Sequence, residues 1–350
     1  MSHPYLHILS IILLLSACAG GEEHAGEEVD PAPPGEMVAV SFSSTVGLAT
    51  KAGEGAGGVA ETDPALADDV QVIVYAYKEE AVGGVLTSAP LVTRTYKAAN
   101  GDGSLTESGS EGVMYLAAGK YRFYALSVNE NSRPPVLAAS SFSETGELVN
   151  NTDYIYCTTN ATLSSTSGEE QTVPLSFSRL SVRIELKVVN EITGGAAGKA
   201  TEAATPIIKL AATDPTGSKI TLGADPAITS GSIPVTAVAN TEMTVTGTLA
   251  GGGFTAGYIL LPIEAGQKIP VTITFPTITF EGLPQQKDKL YMLDITTPEG
   301  GFVSGNRYSY RVNITGNEVV FQGVTVSGWK DKEGSMSDDD ITEDFDDVTQ

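Results

Sequence analysis

Histidine is almost absent from this 350-residue chain, which contains only His3, His7 and His24. The chain after residue 24 therefore has no imidazole, which excludes Ser-His-Asp catalysis, Cys-His catalysis and histidine-based zinc sites from it. Basic residues are also few: 20 Lys and Arg stand against 43 Asp and Glu, for a formal net charge of −23. Because phosphate binding needs clustered Lys and Arg, this balance argues against nucleic acid as a partner.

Cysteine is scarce, and its two occurrences predict different roles. The apolar run ILSIILLLSA (residues 8–17) is too short to span a bilayer but suits the core of a signal peptide. Its end, LSAC (residues 15–18), matches the lipobox of bacterial lipoproteins, so we predict a lipoprotein signal peptide at residues 1–17 and a lipid on Cys18. A plain secretory signal is the alternative. Cys157 lies on a predicted strand and is interpreted as a small buried residue, with a redox or intermolecular role as its alternative.

The two flanks of the chain carry more than half of its net charge. Residues 19–36 hold six acidic and no basic residues together with three prolines, and they predict an extended tether at residues 18–36. Residues 330–350 hold nine acidic and two basic residues, so residues 331–350 are predicted to be a flexible acidic tail. The excess of negative charge therefore indicates solvated chain ends more than an acidic binding face on the folded part of the protein.

Between the flanks, the chain has the pattern of short β-strands separated by turns. Alternating or β-branched runs are bounded by Gly, Pro, Asn and Asp, and helix is predicted in short stretches at most, for example at residues 64–69. Turn signals at this spacing predict an all-β chain of two tandem antiparallel β-sandwich domains, at residues 37–178 and 179–330. The clearest predicted strands lie at residues 38–42, 70–77, 120–128, 180–189, 242–249, 270–275, 307–315 and 318–329.

Five sequence features stand out: LSAC at the lipobox, VAVSFSS followed by ATKAG (residues 38–53), AAGKYRFYALSV (117–128), FSRLSVRIEL (177–186) and GNRYSYRVNITGNEVVFQGVTVSGWKD (305–331). Together they resemble the fimbrillin family of Bacteroidales surface lipoproteins. The resemblance implies two tandem transthyretin-like β-sandwich domains. It also implies an adhesive pilus subunit (shaft, tip or anchor) that is anchored by lipid to the outer membrane or stands on the cell surface. Such a subunit polymerises with itself or with other fimbrial subunits by strand exchange.

Lys51 is the only Lys or Arg before Lys78, and it follows the first predicted strand in a Gly/Ala-rich segment. An accessible basic residue in such a segment suits a trypsin-like protease, and the resemblance implies a maturation protease that cuts after Arg at this place. An ordinary solvated lysine is the alternative. Val38, Val40 and Phe42 alternate on the preceding strand. Cleavage after Lys51 is therefore predicted to release a strand whose groove then accepts a strand from another chain.

Three further patterns have a purely structural interpretation. Oxygen side chains at residues 100–111 have calcium-loop spacing, but Leu105 stands where such loops need Gly, so a hairpin loop is predicted. Pairs of carboxylates could serve a glycosidase, yet none lies in a recognisable motif. Aromatic residues at 121–124 and 154–156 are interpreted as core rather than as a sugar platform. We therefore predict no enzymatic activity, no metal and no cofactor.

The alternative function is a monomeric outer-surface lipoprotein that binds a glycan or a host protein through its sandwich loops. A shaft subunit needs a donor strand with apolar residues at alternating positions. The acidic tail lacks that period, so a donor strand, where one exists, is predicted to begin within residues 318–329. The apolar residues of the tail are Met336, Ile341, Phe345 and Val348.

Overall fold

The computed structural model describes residues 37–47, 64–78, 86, 88–109, 112–164, 170–190, 198–223, 227–229, 238–316 and 319–329. Cys18, Lys51, the signal peptide, the tether and the acidic tail lie outside these residues. Within them the chain is all-β, as predicted, and one 3-10 turn at Leu249–Gly251 is the helical element. Residues 64–69 form a β-bridge and a turn instead of a short helix, because Ala65 pairs with Thr45.

The first eight strands form one sheet that folds around a core. They are β1 (Met37–Val46), β2 (Gln71–Lys78), β3 (Val92–Ala99), β4 (Ser104–Glu107), β5 (Met114–Ala117), β6 (Gly119–Ser127), β7 (Ile155–Leu163) and β8 (Gln171–Arg179). Their order is β4-β3-β2-β6-β7-β8-β1-β5, and β4 also pairs with β1. The strands therefore close into a ring, although β7 and β8 pair through only two residues each. The result is a sandwich-like arrangement.

The remaining strands form two larger sheets and a small hairpin. They are β9 (Val182–Val189), β10 (Ala200–Ala203), β11 (Ile207–Leu210), β12 (Lys219–Thr221), β13 (Ala227–Thr229), β14 (Thr241–Glu242), β15 (Thr244–Thr248), β16 (Gly253–Leu260), β17 (Lys268–Phe280), β18 (Gln286–Thr296), β19 (Asn306–Ile314) and β20 (Val319–Gly328). The front sheet has the order β15-β16-β9-β19-β20. In the back sheet, β17 pairs with β18 along one edge. Different parts of its other edge pair with β10 and with β11, and β11 pairs in turn with β14.

Two strand pairs are parallel in sheets that are otherwise antiparallel. β1 runs parallel to β8, and β9 runs parallel to β19. In both pairs many residues separate the two strands along the chain, so no hairpin turn forces them to run in opposite directions. Long-range pairs such as β2 with β6 and β9 with β16 are antiparallel, so the antiparallel prediction is confirmed for them and for the hairpins and is wrong for these two pairs.

Three clusters of buried apolar side chains support the sheets. The first draws on residues 38–177 and the second on residues 182–314. The third combines residues 73–180 with Ile220, Leu222 and Leu261, so side chains from both sides of residue 178 pack together. The division into domains at residues 37–178 and 179–330, and their transthyretin-like character, stay predictions.

Candidate functional site

β1 lies inside its sheet, with a hydrogen-bonded neighbour on each side. Residues 40–46 pair with β8 on one side. On the other side, residues 37–40 pair with β5, and Phe42 and Ser43 pair with β4. A strand in this position closes the gap between its neighbours, so its removal would leave two strand edges without partners.

One face of β1 is buried in the core. Val38, Val40, Phe42 and Val46 are exposed by 5%, 1%, 2% and 0%. The structure therefore places the three apolar residues singled out in the sequence on a single buried face. Burial of each such side chain contributes about 1.5–3 kcal/mol. The strand would thus stay bound by its contacts even after the chain next to it had been cut.

Phe42 is the centre of this face. Its ring packs edge-on against Tyr96 of β3, at a centroid distance of 5.2 Å, and against Phe123 of β6, at 5.5 Å. Neither of these strands pairs with β1 in the sheet, so Phe42 connects β1 through the core to strands that are not its hydrogen-bonded neighbours. Such aromatic pairs add about 0.5–1.5 kcal/mol beyond the burial of area.

The hairpin between β3 and β4 fastens the second half of β1. The backbone oxygen of Gly103 accepts hydrogen bonds from the backbone nitrogen of Ser44, at 2.7 Å, and from its Oγ, at 2.8 Å. Gly103 has φ +83°, and a Cβ there would lie 2.2 Å from the Ser44 oxygen. Glycine is required at this position because both the backbone conformation and the close approach exclude a side chain.

The same hairpin contains the calcium-loop pattern, and its polar side chains serve the turn. The Asp102 carboxylate accepts a hydrogen bond from the Ser104 backbone nitrogen at 2.9 Å, and hydrogen bonds from Ser104 lower the pKa of Asp102. Asn100 donates to the Ser104 hydroxyl at 3.1 Å. Glu111 lies outside the described residues. Among the residues that the structure describes, no group of three or more His, Cys, Asp or Glu side chains could hold a metal.

The other candidates from the sequence lie in the core. Cys157 is buried in the same cluster of apolar side chains as Phe42, and burial raises the pKa of its thiol to about 12. A protonated thiol at neutral pH is a poor nucleophile, which agrees with a packing role. The aromatic residues considered for a sugar platform are each exposed by 5% or less, namely Tyr121, Phe123, Tyr124, Tyr154 and Tyr156.

A buried arginine, Arg179 at the end of β8, contacts Asp153 and the residue that follows β20. Arg179 Nε lies 3.0 Å from Asp153 Oδ2, and Arg179 Nη1 donates to the backbone oxygen of Trp329 at 2.9 Å. The guanidinium also lies over the Trp329 ring, 4.6 Å from a ring centroid. The sequence showed that Arg179 and Trp329 each lie in a motif of the family. It did not show that the two residues touch, because no local pattern indicates a contact between residues 150 positions apart.

In the portion of the chain that the structure describes, no helix is long and apolar enough to cross a membrane. The positions of Cys18 and Lys51 relative to β1 are known from the sequence alone. Cys18 precedes the strand, and Lys51 comes five residues after Val46.

Comparisons with known proteins place this chain in a family. No curated protein sequence matches it. A "putative cell adhesion protein" from Bacteroides uniformis matches in structure with a TM-score of 0.53 and 17% identity, over 84% of this chain and 98% of the other. A second "putative cell adhesion protein", from Bacteroides ovatus, matches with a TM-score of 0.55 and 12% identity, over 85% and 99%. At such identities the two matches concern the fold. The family model described as "Fimbrillin-like" matches residues 59–329, and the chain belongs to this fimbrillin-like family.

Proposed function

We propose that this protein is a structural subunit of a cell-surface fimbrium that supports adhesion. In this proposal it is exported as a lipoprotein through Cys18 and assembles by strand exchange with itself or with other fimbrial subunits. Family membership supports the fimbrial role. The observation that carries the assembly step is the position of β1, a buried central strand next to the tether. The function is non-enzymatic and needs no cofactor.

The proposed mechanism has two steps, because cleavage alone does not remove β1. A cut after Lys51 separates β1 from the rest of the body, yet the buried face of the strand still holds it in place. A second strand must therefore displace it by pairing with β8 on one side and with β4 and β5 on the other. Such a strand needs apolar side chains at the alternating positions of Val38, Val40 and Phe42.

The donor strand would come from another subunit. β20 is a candidate, since it lies at one edge of the front sheet. It pairs with β19 along its whole length and is followed by the buried Trp329. Donation of β20 would thus require that pairing and the Arg179 contact to break. This cost favours a partner subunit whose donor segment is not part of its own sheet.

The test uses a covalent lock on β1. Ser41 and Thr172 are register partners in β1 and β8, and their hydroxyl oxygens lie 2.9 Å apart. The double variant Ser41→Cys/Thr172→Cys therefore suits a disulfide, in a Cys18→Ala background. Each chain is trimmed with limited trypsin and mixed with a fluorescent peptide of residues 37–46. We expect the trimmed unlocked chain to take up the peptide and to form oligomers.

The locked chain should do neither until the disulfide is reduced. The single variant Ser41→Cys is the matched control, and Lys51→Ala should delay trimming and uptake together. Strand exchange is refuted for this chain if the trimmed unlocked protein takes up no peptide and stays monomeric with candidate partner subunits. It is also refuted if the locked protein takes up the peptide as fast as the unlocked one. The monomeric glycan-binding or host-binding lipoprotein would then be the better assignment.

A further inference from the structure

The outward face of the front sheet gathers positive charge in a protein that is strongly acidic overall. Alternate residues of β9 point into the core, so Arg183 and Lys187 lie on the outward face. The register places Arg307 of β19 opposite Arg183 and Arg311 opposite Lys187. These four residues are the basic patch. It holds three of the seven arginines of a chain whose formal net charge is −23.

Like charges at opposite positions of neighbouring strands destabilise a sheet unless an anion lies near them. Glu185 has this role for one pair: its Oε1 accepts from Arg183 Nε at 2.9 Å, and its Oε2 lies 3.9 Å from Arg307 Nε. Its Oε2 also accepts from the Ser309 hydroxyl at 3.0 Å. Arg311 donates to the neutral side chain of Gln322 at 3.2 Å. The four cations of the basic patch thus outnumber the one carboxylate, Glu185, that lies among them, so the patch attracts further anions.

An open groove of ≈390 Å³ adjoins the basic patch. Arg183 lies on its wall, together with Thr244, Thr246 and Thr255. Gly257 of β16 also lines the groove, and a Cβ on this residue would lie 3.7 Å from Arg183 Nη2. The guanidinium therefore lies close above the strand and links the groove to the patch. Together they offer an extended surface for an acidic segment.

We propose that the acidic tail of the same chain binds this surface. Trp329 is the last residue that the structure describes, and its ring centroid lies 5.9 Å from the Arg183 guanidinium. The tail therefore leaves the fold at the border of the basic patch. Residues 331–350 hold nine acidic residues, and seven of these fall within residues 338–347, where no basic residue occurs. Opposite charge and adjacent position both favour this segment as the occupant.

The length of the tail also fits. Asp338 comes nine positions after Trp329, and an extended chain of that length spans up to about 30 Å. Five strands spaced about 4.8 Å apart make the front sheet about 20 Å wide. The acidic cluster can therefore lie across the patch without strain. The bound tail would neutralise this face, so a polyanion or an acidic partner would have to compete with it. This proposal does not rest on strand exchange or on the fimbrial role.

Zero-length carbodiimide cross-linking of the full chain tests the contact, because it joins a lysine amine only to a carboxylate that touches it. We expect peptides in which Lys187 is linked to residues 331–347. The exposed Lys120 on β6 is the control lysine and should give no such peptide. At 0.5 M NaCl the yield should fall about fivefold, since salt screens exposed charges.

Two substitutions test whether the cross-link depends on the basic patch or only on the total charge of the protein. Arg311→Gln should lower the Lys187 yield about threefold, because one of the four cations is lost. Arg122→Gln is the matched control, since Arg122 likewise donates to a neutral amide, Asn160, at 2.9 Å. It should leave the yield unchanged. Equal yields for Lys187 and Lys120, or equal losses in the two variants, would overturn the proposal.

Two further measurements decide which segment occupies the patch. A mixture of ¹⁴N-labelled and ¹⁵N-labelled protein should give cross-links within one isotope only; mixed cross-links would assign the patch to a second copy and overturn docking within one chain. A chain with the seven acids of residues 338–347 changed to Asn and Gln should bind dextran sulfate at least about tenfold more tightly than the wild type at low salt. Equal binding by the two chains would show that the tail does not cover the patch.

Discussion

Arg179 and Trp329 lie 150 residues apart in the sequence, and they meet where β8 and β20 end. The guanidinium donates to the Trp329 backbone oxygen at 2.9 Å and lies over its ring. Asp153 completes the contact, and Asn129 donates to the same carboxylate at 2.8 Å. The charge of Arg179 is therefore compensated, and the last described strand is tied to the first sheet.

Removal of Arg179 should destabilise the fold strongly. Arg179→Met leaves the Asp153 carboxylate buried without its cation, and breaking a buried pair in this way costs about 3–5 kcal/mol. Urea unfolding should show this loss. Arg122→Met is the matched surface control and should change the free energy of unfolding by less than about 0.5 kcal/mol.

The double variant Arg179→Met/Asp153→Leu should recover part of the lost stability, because it leaves no buried charge unpaired. Trp329→Phe and Trp329→Ala both keep the backbone acceptor, but only Phe keeps a ring next to Arg179, so Trp329→Phe should cost less than Trp329→Ala. If Arg179→Met unfolds at the urea concentration of the wild type, the ion pair does not support the junction.

Gly103 should be far more sensitive to substitution than Gly101, although both have positive φ. The Cβ of Gly101→Ala would have no atom within 4 Å, so the substitution costs only the strain of a left-handed backbone at alanine, about 1–2 kcal/mol. Gly103→Ala adds a clash with the Ser44 oxygen and would push the hairpin away from β1. Amide hydrogen exchange at residues 42–46 should then accelerate about tenfold or more relative to Gly101→Ala. Equal exchange in the two variants would mean that the hairpin does not fasten β1.

The sequence was most informative where the structure depends on alternation within one strand. Val38, Val40 and Phe42 could be assigned to one face because side chains alternate strictly along a strand. The same rule predicts the outward position of Arg307 and Arg311 on β19. Pairing between distant strands has no such local signal. The parallel pairs, the contact of Arg179 with Trp329, and the opposition of Arg183 and Arg307 therefore emerged only from the fold.

Cys18 should be the only lipidated residue. The motivation is the apolar run that ends in LSAC at residues 15–18. Cells that express the wild-type protein and are fed an alkyne fatty acid should yield labelled protein, and Cys18→Ala should remove the label. Cys157→Ala is the matched control and should keep it, since that thiol is buried. Equal labelling of wild type and Cys18→Ala would exclude a lipoprotein anchored at this cysteine.

The buried thiol of Cys157 should make the stability of the fold depend on pH, and its reactivity should show whether β1 is packed in place. Burial raises the pKa of its thiol from an ordinary value of 9.0 to about 12. The unfolded chain therefore releases this proton at a lower pH than the folded chain does. The stability that depends on the neutral thiol is complete below pH 9 and is lost as the pH rises from 9 towards 12.

In a Cys18→Ala background, the free energy of unfolding should fall between pH 9 and pH 10 with a contribution that Cys157→Ala lacks. This contribution approaches about 1.4 kcal/mol per pH unit at most. Burial raises the pKa of Tyr291 to about 12 as well, and both variants share that effect. The difference between the two pH profiles therefore isolates the thiol, and identical profiles would show that Cys157 is not buried as described.

The same thiol tests the packing of β1, because Cys157 and Phe42 belong to one cluster. Phe42→Ala should cost about 3–5 kcal/mol and open the core near β1. Alkylation of Cys157 by iodoacetamide at pH 8 should then be much faster than in the wild type. Ser41→Ala, on the outward face of the same strand, should leave the rate unchanged. If both variants react at the wild-type rate while Phe42→Ala is destabilised, opening near Phe42 does not reach Cys157, and the thiol cannot serve as a probe of strand release.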